Sequence, residues 1–163
     1  MTATTRHGSA VITLPDDTSY LVTRRFDAPA ALVFEAYTTP ALVQRWWGFE
    51  TSEWLVCEID LRVGGTWRYV TREEGGFEVG FHGTFLEIEP ARRLVSTEIY
   101  EGAEGGEDNP AVNTLELDEA DGVTTMTVHS VLPSKEVRDM ILATGMESGM
   151  QVSYDRLEDL VAR

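Results

Sequence analysis

The chain has 163 residues and a mass of 18.2 kDa, enough for one domain with a sizeable core, and its 42% apolar and 25% charged residues are an ordinary globular mixture that excludes wholesale disorder. Lys and Arg total 13 against 28 for Asp and Glu, giving a formal charge of -15 and an isoelectric point near 4.4, so nucleic acid and anionic membrane surfaces are repelled before contact. Cys57 is the single cysteine, which excludes an internal disulfide and a thiolate-rich zinc site and suits a reducing cytoplasm.

The first residues are small and polar, and 1–9 are expected to be disordered. They lack the basic segment and apolar run of a secretory signal, and no stretch approaches the ~20 apolar residues of a membrane span. Ala10 to Leu14 and Ser19 to Phe26 read as two strands separated by Pro15-Asp16-Asp17. Pro29 suits the first position of a short helix with Leu32, Val33, Ala36 and Tyr37 on one face. Thr39-Pro40 starts a second, with Thr39 as N-cap and Leu42, Val43, Trp46 and Trp47 before Gly48.

From Glu53 to Leu132 the apolar period drops to two and turn signals recur, which predicts six antiparallel strands. In the first, Leu55, Cys57, Ile59 and Leu61 share the inward face; in the next, Trp67 and Tyr69 point in while Arg68 and Arg72 point out. Phe77, Val79, Phe81 and Phe85 share one phase, whereas Leu86 and Ile88 suit the other, so a bulge is expected near Gly80 or Gly83. Asp121-Gly122 is a two-residue hairpin turn, and counting outward pairs Leu117 with Met126 and Leu115 with Val128, leaving His129 outward. Ser134 caps a helix to about Ala143, and Thr144 with Glu147 reads as a capping box for a last helix. Met146, Met150, Tyr154, Leu157 and Val161 form its apolar stripe, with Glu147, Asp155, Glu158 and Asp159 largely away from it. Leu94 to Ser134 holds no Lys or Arg but many carboxylates, Glu98, Glu101, Glu104 and Glu107 among them. This reads as a solvated acidic face, with docking of a basic partner as the alternative.

Several segments carry a family resemblance: Phe26-Asp27-Ala28-Pro29, Arg45-Trp46-Trp47-Gly48, Asp60-Leu61-Arg62-Val63-Gly64-Gly65-Thr66-Trp67, Phe81-His82-Gly83, Glu87-Ile88-Glu89-Pro90, and Gly145-Met146-Glu147-Ser148-Gly149-Met150 leading to Tyr154-Asp155-Arg156-Leu157. In this order the chain, from about Ser19 to its end, resembles the activator-of-heat-shock-ATPase-homologue branch of the START-like, birch-pollen-allergen-like superfamily. The resemblance implies an α+β helix-grip fold: a curved seven-stranded antiparallel sheet around a long C-terminal helix, with two short helices near the N-terminus. It also implies a hydrophobic cavity between sheet and helix, where relatives are thought to bind lipids, polyketides or hormones, and a sheet curved around one helix cannot close-pack everywhere.

The expected cavity walls are Trp67, Tyr69, Phe81, Phe85 and Met126 from the sheet and Met146, Met150 and Tyr154 from the last helix, with plain core packing as the competing role for each. Trp46 and Trp47 cannot both point inward from a short helix, so one is expected at the cavity mouth or as a structural cap. His82 is the further candidate, as an acid or base or as an exposed strand residue. Glu87 is a buried carboxylate only if it shares Phe85's face, and Tyr69 and Tyr100 are hydroxyls that can orient a polar group. His7, His82 and His129 show no metal-ligand spacing, Gly145-Met146-Glu147-Ser148-Gly149 places its Ser one position late for a nucleophile elbow, and Gly64-Gly65 and Gly75-Gly76 lack the Lys-Ser/Thr of a phosphate loop. The expectation is therefore no metal, no cofactor and no assigned catalytic residue. A monomer, or a weak homodimer through a strand edge, would bind a hydrophobic small molecule. The alternatives are a cyclase, dehydratase or hydrolase using the same cavity, or an accessory to a chaperone ATPase.

Overall fold

A computed structural model describes residues 10–102 and 106–162. The expected disorder of 1–9, His7 and Glu104 lie outside the described residues. Two strands, β1 (Val11–Thr13) and β2 (Ser19–Phe26), lead into helices α1 (Ala30–Thr38) and α2 (Pro40–Trp46). Strands β3 (Glu53–Ile59), β4 (Thr66–Arg72), β5 (Glu78–Glu89), β6 (Arg93–Tyr100), β7 (Ala111–Ala120) and β8 (Val123–Val131) follow, with a short helical turn at Gly106–Asp108. Helices α3 (Lys135–Ala143) and α4 (Met146–Val161) end the chain.

All neighbours in the curved sheet are antiparallel, in the order β1-β2-β8-β7-β6-β5-β4-β3. The sheet has eight strands where the family resemblance implies seven; the strands read from the residues, two and then six, already make that number. The core lies between its inner face, α4, and the two short helices, where Phe26, Val33, Trp46, Leu115, Tyr154 and Leu157 are buried together. Gln151 on α4 ties down the start of β1, donating from Nε2 to Ala10 O at 2.7 Å and accepting Ala10 N at 2.9 Å.

The Asp121-Gly122 turn sets the register as expected. Both residues have positive φ, 54° and 78°, and Leu117 pairs with Met126 and Leu115 with Val128. Ser134 caps α3, its Oγ accepting Val137 N at 3.2 Å. Four local expectations are corrected. Thr144 does not cap α4: its hydroxyl donates back to Ile141 O at 2.6 Å, and α4 starts after Gly145, whose φ of 79° turns the chain between the helices. Pro29 is the N-cap of α1, one position before its first turn, and the α1 N-terminal amide of Ala30 donates to Glu119 Oε1 at 2.7 Å. The bulge in β5 falls at Leu86, between the pairs of Phe85 and Glu87, and not at Gly80 or Gly83. A second irregularity, at Leu55, leaves Leu55 facing solvent and turns Trp54 inward against Tyr69 and Trp47, while Cys57 and Ile59 keep the inner face opposite Tyr69 and Trp67; Leu61 is exposed beyond the end of β3.

Two side chains sit where their charge argues against them. Arg24, in the inward phase of β2, is 1% exposed, and Glu158, 1% exposed, lies on the buried side of α4 rather than away from it. Arg24 Nη1 donates to Asp155 Oδ1 at 2.9 Å, Nη2 stands 3.7 Å from Glu158 Oε1, and the guanidinium lies 5.3 Å from the Phe26 ring centroid. Glu158 Oε2 accepts Asp27 N at 3.0 Å, which fastens the end of β2 to α4.

Candidate functional site

Between the sheet and α4 lies a cavity of about 400 Å³. Its floor is built by strand register. One row of paired residues crosses five adjacent strands, Phe85 on β5, Ser96 on β6, Asn113 on β7, Ser130 on β8 and Tyr20 on β2, and all five line the cavity. The neighbouring row, Leu94, Leu115 and Val128, is apolar and lines it too. Because side chains alternate faces, Glu98, two residues beyond Ser96, also projects inward.

The polar row is bonded within itself. Asn113 Nδ2 donates to Glu98 Oε1 at 2.9 Å, and Ser130 Oγ donates to Asn113 Oδ1 at 2.7 Å. Burial holds the Glu98 carboxyl above the usual carboxylate range, with the Asn113 amide pulling the other way. Glu98 is therefore no part of a solvated acidic face. On the helical side Tyr37 Oη donates to Tyr154 Oη at 3.4 Å. Burial pushes the Tyr154 hydroxyl up to about 12 and raises those of Tyr37 and Tyr69, so near neutrality these groups act through hydrogen bonds rather than as phenolates.

The walls are aromatic. Trp46 and Trp47 both reach the cavity, which corrects the expectation of a single inward ring: α2 ends at Trp46, so Trp47 follows an extended backbone and leaves on a different heading. Trp46 Nε1 donates to Ala36 O at 2.9 Å, which fixes its ring beside Tyr37, while Trp47 meets Tyr69 edge-on at 5.2 Å. Trp67, Tyr69 and Phe85 line the sheet side, and Met146, Met150 and Tyr154 the side of α4. Phe49 and Gly149 complete the mouth, where Ser153 Oγ and Arg156 Nη1 donate to Gly48 O at 3.0 and 3.1 Å and hold the loop after α2 against α4.

Three expected wall residues lie elsewhere. Met126 is 0% exposed and paired with Arg24 and Leu117, so it fills solid core. Phe81 sits behind Trp47 and Tyr100, at ring distances of 5.7 and 5.3 Å, outside the lining. His82 is on the outer face, where Nδ1 lies 2.8 Å from Glu101 Oε2 and Nε2 2.9 Å from Glu107 Oε1. Arg68 donates to both oxygens of Glu101 and, with the His82 bond, lowers that carboxyl to about 2. Glu87 is exposed beside Arg93, the Leu86 bulge having turned it out, and Tyr100 is half exposed at the rim. The residues missed in the lining are chiefly Glu98, Ser96, Asn113 and Ser130, whose signal was polar side chains in the inward phase of consecutive strands. Cys57 is half-buried, its thiol pushed up to about 11 by burial. Among the described residues no His, Cys, Asp and Glu cluster is arranged to hold a metal, and no helix is long and apolar enough to cross a membrane.

The family described as activator of Hsp90 ATPase homolog 1-like protein matches residues 27–162. The chain belongs to this family. Within the activator of Hsp90 ATPase homolog 1-like fold, the crystal structure of a protein from Rhodobacter sphaeroides is similar with a TM-score of 0.85 and 25% identity, over 94% of this chain and 97% of that one. A protein from Mycobacterium smegmatis gives a TM-score of 0.81 at 20% identity, over 94% and 96% of the two chains. An HSP90 activator from Plasmodium falciparum gives 0.56 at 20% identity, over 71% and 73%. The last two likenesses are of fold alone. A search of curated proteins finds no match.

Proposed function

We propose that this protein binds a hydrophobic small molecule, of the lipid or polyketide type, in the cavity between the sheet and α4. The observation that carries the reading is the cavity itself, about 400 Å³ with Trp46, Trp47, Trp67, Tyr69 and Tyr154 in its walls. An apolar cavity of roughly 150 Å³ in another protein is enough to take up benzene, so the space here suits a polycyclic guest. Val128 faces the void from β8, at the end of the row with Leu94 and Leu115, and Val128→Phe takes up space there without adding a polar group. Titration with 2-naphthol, read by tryptophan fluorescence, is expected to saturate at one site in the parent protein. V128F should weaken it at least tenfold while melting no lower than the parent by more than a few degrees. Absence of saturable binding, or equal affinity in V128F, would overturn the reading.

Glu98 favours a second reading, an enzyme of the cyclase, dehydratase or hydrolase type in which a carboxyl above its ordinary range moves a proton within the same cavity. If an activity is found, Glu98→Gln should abolish turnover and retain binding; retained turnover would contradict it. The family's name supplies a third role, as accessory to a chaperone ATPase, for which calorimetric binding to the purified chaperone is the deciding measurement.

A further inference from the structure

The cavity is apolar on most sides but electrostatically one-sided. Among the described residues its lining holds one carboxyl, Glu98, and no Lys, Arg or His. The nearest cation on the inner face of the sheet, Arg24, is engaged by Asp155 and Glu158. Two donors of the polar row are committed: the Asn113 amide nitrogen is turned to Glu98 Oε1, and the Ser130 hydroxyl to Asn113 Oδ1. Acceptor capacity faces the cavity at this end, since Glu98 Oε2 receives no hydrogen bond from the described residues. A guest that seats a donor there gains a hydrogen bond inside a low-dielectric space, charge-assisted where the donor is an ammonium. A guest that brings a carboxylate meets a second carboxyl with no cation to compensate, and loses its hydration as well. The rings of Trp46, Trp47, Tyr69 and Tyr154 line the same cavity, and aromatic rings attract a positive head group where a carboxylate gains nothing from them.

We infer that the cavity selects a hydrophobic guest whose head group donates hydrogen bonds, a protonated amine above all, seated against Glu98 and the Ser96–Asn113–Ser130 row, and rejects guests that end in a carboxylate. This rests on the binding reading above and narrows it: fatty acids and aromatic acids are excluded from the ligand class, and amines and alcohols of the same body are admitted.

The test uses the full chain and a matched series on one apolar body, 2-naphthylmethylamine, 2-naphthylmethanol, 2-methylnaphthalene and 2-naphthoate, titrated near neutral pH by calorimetry. The expected order is amine tightest, alcohol next, and naphthoate at least tenfold weaker than the alcohol. Glu98→Gln, which keeps the size and the bond from Asn113, should bring amine and naphthoate to within about threefold of each other and leave 2-methylnaphthalene unchanged. Naphthoate binding as tightly as the amine in the parent protein would overturn the inference and leave the cavity's binding role standing. If no member of the series binds, both fail. The parent ranking decides the matter even where the variant does not fold.

Discussion

Gly83→Ala is expected to be among the most destabilising single changes available, costing about 3 kcal/mol or more, at or beyond the upper end of the range for overpacking. Gly83 lies opposite Trp67 in the ladder between β4 and β5, and the Trp67 indole passes over it to reach β6, where Nε1 donates to Thr97 O at 3.2 Å. A Cβ at position 83 would overlap the Thr97 carbonyl and stand 2.7 Å from Trp67 Nε1. The indole can swing aside, but the carbonyl is backbone within the sheet and cannot do so without loss of ladder bonds. A loss of that size in a chain of this length lowers the melting temperature by roughly 6–12 °C, at 2–4 °C per kcal/mol. Trp67→Phe in the same background trades the indole for a smaller ring and clears the contact at Nε1 but leaves the Thr97 carbonyl in place, so it should rescue little. A G83A protein within 1 °C of the parent would show that the close crossing of Trp67 over β5 is wrong.

The second large effect concerns Arg24 and Glu158. Removal of one partner of a buried ion pair strands the other charge away from water, a loss of about 3–5 kcal/mol. Glu158→Ala also deprives Asp27 N of its acceptor at 3.0 Å, so it is expected at the upper end of that range, with Arg24→Ala similar because the residue fills the space between Phe26 and α4. The double replacement R24M/E158L should recover the part of the loss owed to the stranded charge, though not the bond from Asp27 N, since Arg24 Nε and Nη2 and Glu158 Oε1 have no hydrogen-bond partner in the native arrangement and packing can replace them cheaply. Urea unfolding of the parent, R24M, E158L and the double variant measures the coupling. If E158A loses less than about 1 kcal/mol, or if the double variant is as poor as the sum of the singles, the pair is not the fastening between β2 and α4 described here.

These two residues also show where sequence reasoning reaches its edge. Turn chemistry, capping chemistry and helical periodicity are enough, in that order, for the Asp121-Gly122 register, the Ser134 cap and the Tyr154, Leu157 and Val161 stripe, because in each the residue type and the geometry agree. Arg24 shares the phase of Val22 and Phe26, Glu158 stands four residues after Tyr154, and Glu98 shares the phase of Leu94; position placed all three inside while charge argued for solvent. For Glu98 and Glu158 charge outweighs position in the sequence reading, which hides the polar end of the cavity. Ser96, Asn113 and Ser130 were silent for a related reason, since their significance appears only when three strands are laid side by side and the polar residues fall into one row. The change of phase between Phe85 and Ile88 reveals that β5 carries a bulge but not where it falls, and nothing in the sequence marks the one at Leu55. Gly80 and Gly83 advertise a bulge but serve close backbone packing, Gly83 beneath Trp67 and Gly80 beside Glu101, whereas the actual irregularities fall at leucines.

The claim on which the rest depends, that the space beside α4 takes up an apolar guest, is most directly tested at the methionine methyl groups. Met146 and Met150 line the cavity, Met126 is sealed in the core at 0% exposure, and Met140 is 62% exposed on α3. In protein carrying carbon-13 methionine methyls, addition of 2-naphthylmethanol should move the Met146 and Met150 signals saturably, with nuclear Overhauser contacts from the naphthalene protons to both, and leave Met126 and Met140 in place. Contacts confined to Met140, or no contact with Met146 and Met150 at saturating guest, would contradict the account.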